Sequence, residues 1–286
     1  MPRHAIAARL RLEPFWNDEF AVDIVLSPLP VAPRHDSALT EFMTTECNFA
    51  MEHADGSFMD HLQFCYEYSH EHFKGESPRV LLLHSILGVG SNYFPCDKSK
   101  IPKLQSLLTE AEFSHVAAFP SVLRLLLQRD FMDELEQMSN EKLETIKGLK
   151  MHQVIDNEPT SLTSKNDFWT HLNYQIIHLL DFLPVLDWQW AVAQDNFMAN
   201  FVRLLAFLKR ANKLKATIDL DFTTVNTIKT PDGKSILANV SLGGLIKNYV
   251  PAKIQQKLAS QQVSKFSKEI GHSLEYTILY DTDEAE

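Results

Sequence analysis

Twelve histidines are spread over the 286 residues, and four of them fall between Gly56 and Asp97 around a single apolar segment. A neutral imidazole can ligate a transition metal or move a proton near neutral pH, so chemistry in this chain would start there. Two positions stand out. His61 lies early in a first helix, and His84 closes the run Val80-Leu81-Leu82-Leu83, late in a second. Burying an imidazole without a partner costs roughly 1–3 kcal/mol, so His84 needs a hydrogen bond, an ion pair or a metal. A backbone carbonyl meets that need as well as a ligand bond does. A second group lies far along the chain, where His171, Tyr174, His178 and Asp181 follow at steps that place them on one helical stripe. Asp181 is the candidate anionic ligand to join His61 and His84, and His178 and His115 are candidates for proton transfer. The plain alternative for His178 and Asp181 is a surface pair contributing about a few tenths of a kcal/mol.

The elements that must carry these groups are helical. Ser57 or Asp60 can cap a helix in which Leu62, Cys65, Tyr66, Ser69 and Phe73 form an apolar face. Gly75 and Pro78 suit its end and the start of the next helix. A helix is expected over 37–54, and another over 109–128 opens on a Thr109/Glu112 capping box; Pro120 should end or kink it. The interleaved charges of 130–150 predict a solvated surface helix, 151–166 an irregular connection, and Asn166-Asp167 the cap of a helix stopped by Pro184. A further helix over 195–215 ends in lysine and arginine, which complement its dipole. From Ala216 the alternation and Pro231-Asp232-Gly233-Lys234 predict a β-hairpin, followed by a helix over 251–271 and a short strand within HSLEYTILY.

His61-Leu62 on one helix, then an apolar run into His84-Ser85-Ile86-Leu87-Gly88-Val89-Gly90 some two dozen residues later, resembles a diverged HD domain. The likeness covers residues 40–190. It is similar, more narrowly, to an HD-related family of unknown function that carries His-Ser in place of His-Asp, with Tyr93 and Phe94 in the following loop. The resemblance implies an all-helical fold, a histidine from each of two helices, and an acid from a later helix, the place Asp181 occupies. It also implies a divalent metal (iron, manganese or zinc) and either hydrolysis or, with iron, oxidation. Ser85 is the departure. A neutral hydroxyl is a poorer ligand for a hard cation than the aspartate it replaces, which argues against a two-metal phosphohydrolase.

The fold class is therefore mainly α: an irregular N-terminal arm (1–37), an HD-like helical domain (38–213) and a small C-terminal α+β appendage (214–286). A net charge of -10 with no long basic run argues against nucleic acid. No apolar stretch approaches the roughly 20 residues of a membrane span, and Arg3, Arg9 and Arg11, which suggest a transit peptide, are soon followed by acids. Three cysteines without close pairing suit a reducing, cytoplasmic compartment. Gly88-Val89-Gly90-Ser91-Asn92 lacks the Gly-Lys-Ser/Thr of a phosphate loop, so no nucleotide cofactor is expected. Three functions fit: a metal-dependent hydrolase or oxygenase acting on a small molecule, a non-catalytic binding protein, and a cofactor-independent cyclase or isomerase. Ser85 is kept as a catalytic candidate, although no G-x-S-x-G elbow surrounds it.

Overall fold

The computed structural model describes residues 37–47, 52–53, 56–88, 97–181, 192–218 and 252–281. The arm up to residue 36, the glycine-aromatic loop 89–96 and the expected hairpin within 219–250 lie outside them. Helix α1 (Ser37–Glu41) passes into a π-turn at Phe42–Glu46, and a two-stranded ribbon, β1 (Glu52–His53) and β2 (Gly56–Ser57), leads into α2 (Phe58–His72). One turn of helix, α3 (Arg79–Leu82), is followed after the next described segment by α4 (Ile101–Leu107), α5 (Glu110–Leu127), α6 (Arg129–Gln137) and α7 (Asn140–Glu144). Then come β3 (Ile146–His152), β4 (Pro159–Leu162), α8 (Lys165–Asp181), α9 (Val192–Arg210), α10 (Ala252–Glu269) and β5 (Thr277–Tyr280). The molecule is mainly helical with a small antiparallel sheet in the order β4-β3-β5.

That sheet corrects the surface helix expected over 130–150. Ser139 caps α7 through a bond from the Lys142 amide at 3.2 Å, and after Thr145 the chain turns extended. In β3, Leu149 and Met151 are buried while Lys150 between them is exposed, the period-two pattern of a strand covering a core. Leu149 sits between Leu162 of β4 and Ile278 of β5, so the last strand pairs with one from the middle of the chain. Ile278 and Val263 of α10 belong to the same hydrophobic cluster as Leu62, Leu83, Phe119 and Ile177.

Helix α5 does not end at Pro120. It runs on to Leu127, with Phe119, Pro120, Val122 and Leu123 all buried. A proline inside a helix costs about 3 kcal/mol, and the apolar surface these neighbours bury offsets it. Its N-terminus carries the expected capping box in full: the Glu112 amide donates to Thr109 Oγ1 at 3.2 Å and the Thr109 amide to Glu112 Oε2 at 2.8 Å. Thr109→Ala is expected to lower stability by about 1 kcal/mol, read from the denaturant midpoint at unchanged m-value.

Candidate metal centre

Three elements bring the chemistry-bearing residues together. On α2, His61 and Cys65 are four residues apart and share the face that packs inward, both buried. The helix is held at its far end, where Tyr68 Oη donates to the Thr217 carbonyl at 2.9 Å and the Thr217 amide to the His72 carbonyl at 2.8 Å.

His84 is not late in a helix, as expected, but in the turns after α3. Gly88 closes this segment at a φ of 131°, with its amide donating to the Ser85 carbonyl at 3.3 Å. A Cβ there would stand 2.8 Å from Val154 Cγ1, so both the backbone and the close approach call for glycine.

Glu112 pins the entry to this segment by accepting from Ser77 Oγ at 2.6 Å and from Arg79 Nη1 at 3.2 Å; Arg79 Nη2 donates to the Leu107 carbonyl. Burial raises the Glu112 pKa, but the bonds from Ser77 and Thr109 and the Arg79 charge outweigh it and hold the carboxyl below its ordinary value. From the other side, Tyr174 Oη of α8 donates to the Ser77 carbonyl at 2.9 Å.

Helix α8 supplies the third group. Its cap is Ser164, whose hydroxyl accepts from the Asp167 amide at 3.0 Å, rather than Asn166 or Asp167. Asn173 fastens it to the chain after α9, donating to the Lys213 carbonyl at 2.9 Å and accepting from the amides of Lys215 and Ala216 at 2.8 and 2.9 Å.

At the centre, His61 Nε2 and His84 Nε2 are 3.1 Å apart. His84 Nδ1 lies 2.6 Å from the Leu81 carbonyl, which can only accept. The proton is therefore on Nδ1, and the Nε2 lone pair faces His61. An outer nitrogen donating to a backbone carbonyl is the arrangement that orients metal-ligating histidines. Cys65 Sγ lies 3.9 Å from His61 Nδ1, and one ligand atom from each of His61, Cys65 and His84 falls within 4.8 Å of the others.

The His61–His84 contact meets hydrogen-bond geometry, and two ligands of one ion differ from a head-on imidazole pair in their centroid separation. With metal bonds of about 2.0–2.1 Å, nitrogens this close subtend about 98° at a shared ion, and their ring centroids stand about 4.8 Å apart. A head-on N–H···N bond of the same length puts the centroids about 5.4 Å apart. The His61 and His84 centroids are 4.9 Å apart with planes at 86°.

The contrasting case is next door. His115 Nδ1 and His171 Nδ1 are also 3.1 Å apart, but their centroids are separated by 5.3 Å and their planes differ by only 16°. These two rings point at each other and share a hydrogen bond. Gln175 sets its direction: its amide nitrogen donates to the Phe119 carbonyl at 3.0 Å and lies 3.2 Å from His171 Nε2. His171 Nε2 accepts, so its Nδ1 donates to His115.

The stripe of α8 thus divides. His178 meets the centre, with its ring centroid 5.2 Å from that of His61 and 4.5 Å from that of His84. His171 joins His115 on the far side of Phe119, whose ring stands 5.4 Å from both His171 and His178. Ser85 is buried beside His84. Asp181 is the last residue of α8, and its side chain lies outside the described residues.

Burial lowers His115 to about 4, opposed by the Asp167 carboxylate. Burial also takes His171 and His178 well below the ordinary imidazole value, reinforced by His115 in the first case and by His84 and His61 in the second. All are neutral at pH 7, the form in which imidazole binds metals.

From the sequence Cys65 reads only as part of the apolar face of α2 and His171 only as part of the polar stripe on α8, neither with a role of its own. The signal for Cys65 was its four-residue step from His61. A groove of 410 Å³ beside the sheet, lined by Lys150, His152, Ser161 and Tyr276 among others, shares no residue with the centre. No described helix is long and apolar enough to cross a membrane. No protein-family model, curated protein or solved structure matches this chain, so the reading of its function stands on these side chains.

Proposed function

We propose that the protein is a metal-dependent enzyme, of hydrolase or oxygenase type, acting on a small molecule in a diverged HD-like helical pocket. The observation that carries this reading is the converging pair of Nε2 atoms on His61 and His84, 3.1 Å apart, with the outer nitrogen of His84 already bonded to a carbonyl. Imidazole and thiol donors suit zinc, iron or copper, whereas magnesium and manganese favour carboxylate oxygens. Such an ion polarises a bound oxygen and lowers the pKa of bound water. His61 and His84 would hold it, and the bond to Leu81 keeps the His84 ring turned toward it.

The test is metal content. Protein dialysed against zinc and passed through a chelating column should retain close to one equivalent, and His84→Ala should lower affinity at least tenfold, a loss of the size that even outer-shell changes cause. Wild-type protein that holds no transition ion under these conditions would end the reading. One observation favours the non-catalytic alternative: His61, His84 and His178 are each no more than 3% exposed. A metal that binds stoichiometrically but never exchanges its fourth ligand for azide or cyanide would select that alternative.

A further inference from the structure

We infer that the third ligand of this centre is His178 of α8, making it a three-imidazole site for a divalent ion of borderline softness such as zinc. The inference rests on the metal reading above and goes beyond it by naming the ligand set.

Ring centroids do not depend on how each ring is turned. The centroid of an imidazole lies close to its Cβ–Cγ axis, so rotation about that bond changes which nitrogen faces inward but leaves the centroid in place. That rotation is the soft torsion of a histidine, and the inference requires it of His178: as the rings stand, the ligand atoms lying within 4.8 Å of one another are those of His61, Cys65 and His84. Three imidazoles on one ion at about 2.05 Å, with ligand angles between octahedral and tetrahedral, have centroids about 4.5–5.2 Å apart. The observed separations are 4.9 Å for His61 and His84, 5.2 Å for His61 and His178, and 4.5 Å for His84 and His178. All three pairs lie within that span, and the rings stand at 86°, 73° and 64° to one another, as blades around a common point. The neighbouring His115–His171 pair differs in orientation, its planes lying only 16° apart at a separation of 5.3 Å.

Cys65 takes a different place. Its sulfur approaches the Nδ1 edge of His61, while the Nε2 edge of the same ring faces His84. One ring offers one nitrogen to one ion, so the thiol is an outer-shell partner that fixes the orientation of His61. Three neutral imidazoles leave the full charge of the ion at its open position, which takes water or an anionic oxygen of a small molecule.

The ligand count can be read directly. X-ray absorption of the zinc-loaded wild-type chain should show three imidazole shells and no sulfur shell. Zinc affinity by chelator competition should fall at least tenfold in His178→Asn, whereas Cys65→Ala should leave the imidazole-only absorption spectrum of the bound zinc unchanged. A sulfur shell with two imidazoles would overturn the inference, as would wild-type affinity in His178→Asn, or its retention there together with loss in Asp181→Asn. If His178→Asn does not fold, the absorption spectrum of the wild type decides alone. A wild-type chain that takes up no metal sinks the metal reading itself and this inference with it, whereas uptake without His178 sinks only this one.

Discussion

Taking the protein from pH 7 to pH 4 in the presence of a chelator is expected to cost roughly 3 kcal/mol of stability through His115 alone. In the folded state this imidazole titrates at about 4, against an ordinary value of 6.5, because burial penalises its charged form. The sign follows from proton counts. Below about pH 6.5 the unfolded chain binds a proton at this position that the folded chain does not, so folding is opposed increasingly as the pH falls. Above pH 6.5 neither state is charged and nothing is lost; below about 4 both are, and the loss stops growing.

His171, His178 and His272 are shifted in the same direction, each chiefly by burial, so the total exceeds the His115 share. Denaturant midpoints measured at pH 7, 5.5 and 4.5 should decline steeply, and most steeply between the last two. A midpoint that is flat down to pH 4.5 would show that these imidazoles are not buried neutral. The carboxylates can be separated from this effect, because the contribution of a carboxyl held below its ordinary value, such as Glu112, starts to be lost only near that value of 4.5, whereas the histidine penalty already begins near 6.5.

Gly148→Ala is expected to cost roughly 3 kcal/mol or more, the range reserved for changes that force backbone to move. A Cβ on Gly148 would stand 2.1 Å from the Leu162 carbonyl oxygen of β4, and both atoms belong to backbone or its first substituent, so no side-chain rotation relieves the clash. The pairing of β3 with β5 also shifts register between Ile146 and Gly148. The contrasting variant is Gly75→Ala. Gly75 has a φ of 89° but nothing within 4 Å of a would-be Cβ, so only the left-handed backbone is penalised, by about 1–2 kcal/mol. Thermal unfolding of the two variants side by side should rank Gly148→Ala well below Gly75→Ala; equal midpoints would mean that β4 is free to move away from β3.

The helical appearance of β3 in the sequence has a local cause. Residues 130–144 carry helical periodicity and interleaved charge, and the lysines continue across Ile146-Lys147-Gly148-Leu149-Lys150. The short alternation of Leu149, Lys150 and Met151 is too brief to outweigh a longer helical pattern until a partner strand is known. One partner, Ile278, lies more than a hundred residues away, and the nearer one, Leu162, ends a four-residue strand that opens on a proline. Pro120 differs from expectation for a related reason. Its local cost is legible in any sequence, but the burial of Phe119, Val122 and Leu123 that offsets it belongs to the assembled core.

What the amino-acid sequence determined unaided acts within a few turns of chain: the helical character, the Thr109/Glu112 capping box, the inward face of α2 with His61, and the stripe of polar groups on α8. What only the tertiary structure decided was how that stripe was shared out. His171 and His178 are seven residues apart on one helix and equivalent by spacing, yet one faces His115 in a head-on hydrogen bond and the other faces His61 and His84. The reason is that periodicity gives the direction of a side chain from its own helix, whereas the group it meets depends on where two other helices and the ring of Phe119 come to rest against it.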